Sequence, residues 1–396
     1  MTTVGIIGGG ISGSLSANLL TKNNIETILI EKNYKIGVEH PTSLNAIDNW
    51  YRTDLMKILK VEIPTKVIYN SLWHSPLGNE FNLKFRRKPL FYLVKRGDRN
   101  ESVNRILLEG AQKNGCKIYK NCREIKIKRN KNSFEIVCSA NNVKKNINAD
   151  IIINASRFSE KSKISKENLG IIFGSEIIFK EHIDPSTVEV FFDENFFPGG
   201  YMYVLPENEN KATVGATMRP HLMKKGVSCK YYFLESLKKN KYISEKFKNS
   251  KIISTFSGIG NLSGPKKKLE NKNILSIGDA ANFMEPLFGF GVRNALLSAK
   301  FCSDSIIKSN NGAENCGKIY EETCKKELFP ILKKQKFLRK IYDKLNNNDI
   351  EFLFSLFENF SKKIEVESFI EKPSFNFSLL GLLILKLPNL INLLIK

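Results

Sequence analysis

The 396-residue sequence predicts an α/β fold joined to an antiparallel sheet and closed by a helical C-terminal region. Three observations carry this. The chain opens with an apolar run, a glycine-rich turn, a helical pattern and a second apolar run. A related strand, Gly-Asp and helix pattern recurs near residue 275. Between the two lie runs that alternate apolar and polar residues, bounded by Gly, Pro, Asn or Asp, as strands of an antiparallel sheet do.

In the first stretch, Val4-Gly5-Ile6-Ile7 suits a strand buried on both faces, and Leu15, Leu19 and Leu20 give the following segment a helical period. Gly8-Gly9-Gly10-Ile11-Ser12-Gly13 joins them, and each spaced glycine has a task. Gly8 makes the tight turn, Gly10 lets the backbone approach a pyrophosphate, and Gly13 lets helix and strand pack closely. The helix start, with Ile11 and Ser12, offers unpaired N–H groups to phosphates. A second strand, Thr27 to Ile30, ends at Glu31 and Lys32, and Glu31 lies at the distance from which an acid accepts a ribose hydroxyl. This arrangement is a Rossmann-type dinucleotide fingerprint, which by itself does not separate NAD from FAD.

Near residue 275, Asn273 to Ile277 reads as a strand, followed by Gly278-Asp279-Ala280-Ala281, then Pro286, Gly289, Phe290, Gly291 and a helix from Val292. This resembles the second flavin motif of the FAD-dependent aromatic hydroxylase and geranylgeranyl reductase superfamily. The resemblance implies that Asp279 accepts from the ribityl chain of FAD. It also implies that Gly289, Gly291 and Val292 bring helix N–H groups to the flavin ring, where a positive dipole end favours an anionic reduced form. In relatives a helix like Ser102 to Gly115 follows an Arg near the cofactor, for which Arg99 is the candidate, and the backbone around Arg123 is the matching adenine contact. The superfamily's middle motif is altered: after Ile151-Ile152-Ile153 the chain reads Asn154-Ala155-Ser156-Arg157, and that turn is given no ligand role.

Between the flavin motifs stands Pro198-Gly199-Gly200-Tyr201-Met202-Tyr203-Val204-Leu205-Pro206, with Gly215 beyond. It is similar to the Y-x-W-x-F-P…G-x-G signature of the geranylgeranyl reductases, a strand lining a cavity for a polyprenyl chain. Tyr201, Tyr203 and Leu205 alternate onto one strand face and make an apolar wall with hydroxyl tips. The pattern departs at Tyr203 (Trp in the family), Leu205 (Phe) and Ala216-Thr217. Val38 to Ser43 holds no thiol where relatives carry a Cys near the flavin.

The resemblance covers about residues 1–310 and implies a discontinuous FAD domain of residues 1–68, 90–160 and 266–310. Residues 69–89 and 161–265 form the inserted, aromatic hydroxylase-like substrate domain, and 311–396 a helical region. The implied activity is FAD-dependent saturation of C=C bonds in geranylgeranyl chains, most naturally of an archaeal-type ether phospholipid precursor. A flavin monooxygenase of the aromatic hydroxylase type is the alternative, and no acid or base is assigned. No second dinucleotide fingerprint appears, since Gly258-x-Gly260 continues to Gly264 with the wrong spacing. The electron donor is therefore either NAD(P)H without a domain of its own or a small electron-transfer protein.

Charge and composition narrow the partners. The 62 Lys+Arg against 40 Asp+Glu give a net charge of +22, and only 12 of the cations are Arg, the residue that reads bases or phosphates with a planar fork. With no binding motif, nucleic acid is not expected, whereas an anionic membrane surface is. Seven Cys without a C-x-x-C pair, and no secretory signal, suggest reduced cytoplasmic thiols. Four dispersed His argue against a metal. In the tail, Phe375 to Lys396, the apolar stretch Leu379 to Leu385 is far short of the roughly 20 residues that cross a bilayer. Lys386, Asn389, Asn392 and Lys396 share one helical face, so the tail is expected to lie peripherally at the membrane interface, with packing over the substrate domain as the alternative.

Overall fold

The computed structural model describes residues 2–34, 44–48, 61–97, 99–131, 133–140, 143–156, 164–309 and 313–361. The fold is the mixed α/β arrangement read from the sequence. Its first layer is a six-stranded sheet centred on Thr3–Ile7, which runs parallel to Glu26–Ile30 on one side and Ile151–Asn154 on the other. Lys117–Tyr119 adds a parallel strand beyond Glu26–Ile30, Ile274–Ser276 one beyond Ile151–Asn154, and Glu270–Asn271 closes that edge in antiparallel.

These strands are apolar along their length because both faces are covered. Val4, Ile6, Leu29, Ile151 and Ile153 pack with Leu15, Leu107 and Leu296 of the helices Ile11–Lys22, Val103–Lys113 and Val292–Lys308. The alternate residues Ile28, Ile30 and Ile152 pack on Phe134, Ile136 and Ile147 of a three-stranded antiparallel sheet, Cys122–Arg129, Phe134–Ala140 and Val143–Ala149. The helix Val103–Lys113 starts where Ser102 accepts from the Arg105 N–H. A Cβ on Gly110 would stand 2.0 Å from Asn18 Nδ2, so the glycine sets the approach of the two helices.

The second layer is a seven-stranded sheet in the order Lys251–Asn261, Leu169–Ile178, Lys211–Met218, Tyr201–Pro206, Thr187–Phe191, Asn70–His74 and Glu80–Lys84. Period-two alternation divides its faces. Met202 and Val204 pack against Phe233 and Ile243 of the helices Cys229–Lys239 and Lys241–Lys246, whereas Tyr201, Tyr203 and Leu205 turn to the opposite side. A small sheet of Leu44–Asp48, Phe91–Lys95 and Lys66–Ile68 stands between the layers in sequence.

The C-terminal helices complete both cores. Cys316, Tyr320 and Cys324 of Ala313–Glu327, and Phe329 and Leu332 of Phe329–Tyr342, pack into the core of the parallel sheet, and Tyr320 Oη donates to the Ser276 carbonyl at 2.7 Å. Ile350 and Phe354 of Asn347–Ser361 join the aromatic cluster beneath Tyr201. All seven cysteines are free thiols. Among the described residues no helix is long and apolar enough to cross a membrane, and no group of three His, Cys, Asp or Glu is placed to hold a metal. The Val38 to Ser43 segment, Arg157 and the tail from Phe375 to Lys396 lie outside the described residues.

Candidate functional site

The glycine turn is built as a cradle. Gly8 adopts φ +105°, a left-handed value that excludes a side chain at little cost only in glycine, and its N–H donates to the Ile30 carbonyl at 2.9 Å. A Cβ on Gly13 would lie 1.9 Å from the Gly8 carbonyl oxygen, whereas one on Gly10 would meet nothing within 4 Å. Gly10 therefore leaves the backbone open to a ligand, and it begins the helix Ile11–Lys22 with no side-chain cap to occupy the first N–H groups. Glu31 is buried beside the turn, its Oε2 accepting from the Gly9 N–H at 2.6 Å and its Oε1 from the Asn33 N–H at 2.9 Å. Beyond it Lys32, Asn33 and Arg123 line a cleft of about 410 Å³.

The second motif abuts the first. Gly278 (φ +55°) opens a short 3₁₀ turn, Gly278–Ala281, and a Cβ there would stand 2.8 Å from Ser12 Oγ, so Asp279 emerges beside the fingerprint helix. The loop that follows folds around a carboxylate. Glu285 accepts from the N–H groups of Leu287 (2.9 Å), Phe288 (2.6 Å) and Gly289 (3.1 Å). Gly289, at φ +82°, then lets the chain turn into Gly291, the N-cap of the 17-residue helix Val292–Lys308, again with no side-chain cap. Two helix starts without side-chain caps, two close glycine turns and acids at both motifs fit a dinucleotide whose phosphates lie at the first and whose ring lies at the second.

Arg99 is not part of this assembly. Its guanidinium is held by Glu207 at 3.0 Å and by Glu176, on the far end of the seven-stranded sheet. The residue nearer the site is Arg96, buried, with Nε donating to Asn104 Oδ1 at 2.7 Å and Nη1 to Asn45 Oδ1 at 3.2 Å. Burial pushes Arg96 down to about 10, and the charge of Asp279 opposes that fall. Gly97, at φ +87°, turns the chain just after Arg96, and Arg99 pairs instead with Glu176 and Glu207. Sequence reasoning also missed Glu285, whose signal was an acid between the Asp279 turn and Gly289.

A mostly apolar cavity of about 250 Å³ joins the motif loop to the seven-stranded sheet. Asp279 and Gly289 to Val292 form one wall, and Tyr201, Tyr203 and Leu205 another. Tyr203 lies flat over Gly215, its cross-strand partner: a Cβ on Gly215 would stand 2.5 Å from the phenol. Tyr201 Oη donates to the Phe288 carbonyl at 2.5 Å, tying the wall to the loop. Burial raises both phenols well above the usual tyrosine range, so both stay neutral. Pro206 ends the strand and does not line the cavity; its carbonyl accepts from Lys66 Nζ at 3.2 Å.

The comparisons with known proteins agree with this geometry. Residues 173–259 match the model of the geranylgeranyl reductase catalytic domain, and residues 6–47 that of an NAD(P)-binding Rossmann-like domain. The digeranylgeranylglycerophospholipid reductase of Methanocaldococcus jannaschii is 26% identical over 378 residues, covering 93% of either chain, and that of Methanococcus vannielii is 24% identical over 359 residues, covering 87% of either. Among solved structures, a geranylgeranyl bacteriochlorophyll reductase-like protein from Thermoplasma acidophilum superposes with a TM-score of 0.79 at 17% identity, covering 97% of this chain and all of that one. A flavin-dependent brominase shares the fold with a TM-score of 0.71 at 16% identity, covering 94% of either chain. The chain is thus similar over most of its length to digeranylgeranylglycerophospholipid reductases, and it has the fold of flavin-dependent halogenases and monooxygenases.

Proposed function

We propose that this protein is an FAD-dependent reductase that saturates C=C bonds of geranylgeranyl chains, with a digeranylgeranyl ether phospholipid precursor as substrate. One observation carries the reading: the catalytic-domain match falls on the strands that wall the apolar cavity, and the opposite wall is the Asp279 to Val292 loop. Bound FAD, once reduced, supplies a hydride equivalent. The chain's own residues do the rest. Gly8 to Gly13 and the first turn of Ile11–Lys22 take the pyrophosphate, Glu31 the ribose, and the Lys32 to Arg123 cleft the adenine end. Asp279 takes the ribityl hydroxyls, and the amides at the start of Val292–Lys308 stabilise negative charge at the ring. Tyr201, Tyr203 and Leu205 hold an isoprene unit against that loop and exclude water.

The electron donor is NAD(P)H or a small electron-transfer protein. Gly258 and Gly260 sit within the edge strand Lys251–Asn261, a poor place for a second nucleotide. We place the protein in the cytoplasm, peripheral to an anionic membrane, because the substrate is a lipid and the chain carries +22 with an apolar C-terminal segment. Anaerobic mass spectrometry of a digeranylgeranyl lipid incubated with reduced protein tests the activity, the expected result being a gain of two hydrogens per bond. Substrate-dependent oxygen uptake with no gain of hydrogen would overturn it in favour of a monooxygenase.

A further inference from the structure

The loop from Glu285 to Gly291 is held by groups from three parts of the chain. Its amides are taken by its own Glu285, as described. Two of its carbonyls are taken from outside: Phe288 by Tyr201 Oη, and Leu287 by Arg339 Nη1 at 2.8 Å. Arg339 belongs to the last turn of Phe329–Tyr342, a helix beyond both segments matched by family models, and it is 5% exposed where it borders the cavity.

That turn grips more than the loop. Arg339 Nη2 lies 2.7 Å from Asp343 Oδ1, and Arg219 Nε lies 3.2 Å from the same oxygen. Arg219 in turn donates to the Leu169 carbonyl at 2.7 Å, at the start of a cavity strand. The Arg339 guanidinium stacks 4.2 Å from the centroid of Tyr342, whose Oη donates to the Gly200 carbonyl at 2.7 Å, just before Tyr201. Residues 339, 342 and 343 share one face of a helical turn. One turn thus fixes the motif loop, the first residue before the signature strand and the strand Leu169–Ile178 relative to one another.

We propose that Arg339 is a positioning residue for the flavin: by holding the Leu287 carbonyl it sets the angle at which the loop presents the N-terminal amides of Val292–Lys308 to the ring. A planar guanidinium spans a carbonyl and a carboxylate at fixed geometry, which an ammonium cannot do. The proposal rests on the reading that FAD lies along this loop, and its test uses no prenyl substrate.

The experiment compares full-length wild type, Arg339→Lys and Arg339→Met, reading fold by circular dichroism, the FAD dissociation constant by flavin fluorescence, and the two-electron midpoint potential. Arg339→Met is expected to fold and to bind FAD about tenfold more weakly, because a loop freed of this tether holds the cofactor-binding conformation only part of the time, and an occupancy of about a tenth costs a factor of ten. Its potential moves negative, because a displaced helix start stabilises the reduced ring less. Arg339→Lys shows the same changes at smaller size. A folded variant of either kind with wild-type affinity and potential overturns the proposal. So does an unfolded Arg339→Met beside an Arg339→Lys of wild-type behaviour, which would make Arg339 a packing residue only. A wild-type protein that binds no FAD sinks the functional reading and this proposal together. One that binds FAD but reduces no prenyl lipid sinks the activity alone.

Discussion

Replacing Gly215 by Ala is the sharpest test of how the cavity wall is made. The backbone of Gly215 needs no left-handed conformation, so the substitution acts through space alone. Its new methyl would lie 2.5 Å from Tyr203 Cζ and Oη and 3.0 Å from Cε1, about 1 Å inside ordinary contact. The ring borders the cavity. Gly215 is behind it and Tyr201 beside it, with ring centroids 6.4 Å apart, so it moves into the cavity. Shifting a packed ring by this much costs about 1–3 kcal/mol. The displaced ring also takes up part of the cavity that it lines. Urea denaturation is expected to show that loss, FAD retention to stay near wild type, and prenyl turnover to fall mainly through a higher KM. Tyr203→Ala should spare flavin and impair turnover, and in combination with Gly215→Ala the two costs should couple by at least about 1 kcal/mol because the clash has gone. Strictly additive costs, or a Gly215→Ala protein of wild-type stability and KM, would refute the reasoning.

Three further outcomes are expected. Gly13→Ala places a methyl 1.9 Å from the Gly8 carbonyl oxygen, a backbone atom that cannot yield, so purified protein should carry almost no FAD by absorbance ratio. Asp279→Ala should weaken FAD binding by about 1.5–3 kcal/mol in a fluorescence titration, the worth of a charge-assisted hydrogen bond; unchanged affinity would remove it from the ribityl site. Glu194, mostly buried beside Asp193 and Asp343, is pushed up by burial to about 7 from 4.5. A raised acid gives stability that is complete below 4.5 and lost as pH rises through about 7, at most about 3 kcal/mol. Glu194→Gln should therefore flatten the decline in melting temperature between those pH values, and a variant with the wild-type slope would show that other groups set it.

The dinucleotide cradle was legible because its parts are consecutive: strand, turn, helix, strand and acid follow within the first 31 residues and each type has a local reason. The Tyr201 strand was legible for the same reason, its alternation being visible in six residues. Arg96 was not, since the choice between Arg96 and Arg99 turns on a positive φ at Gly97 that spacing alone does not reveal. Arg339 was invisible for a different cause. It acts on the backbone of a loop, and a carbonyl 52 residues away leaves no trace in residue identity. The packing of the C-terminal helices into the parallel-sheet core was equally hidden, because a helical period says which face is apolar and not what covers it.

The parallel sheet is assembled from widely separated parts of the chain. Val4 finds its neighbour at Ile151, and that neighbour's own partner arrives only at Ile274. At about 5–20 residues synthesised per second, roughly 15–50 s separate the synthesis of Val4 from that of Ile274. For that interval the sheet keeps an open apolar edge in the nascent chain, first beside Thr3–Ile7 and then beside Ile151–Asn154, and the glycine turn has no second motif to face. Cofactor capture is thus a late event of biosynthesis, and a chain that stalls before the Asp279 turn emerges is an aggregation hazard rather than a half-active enzyme.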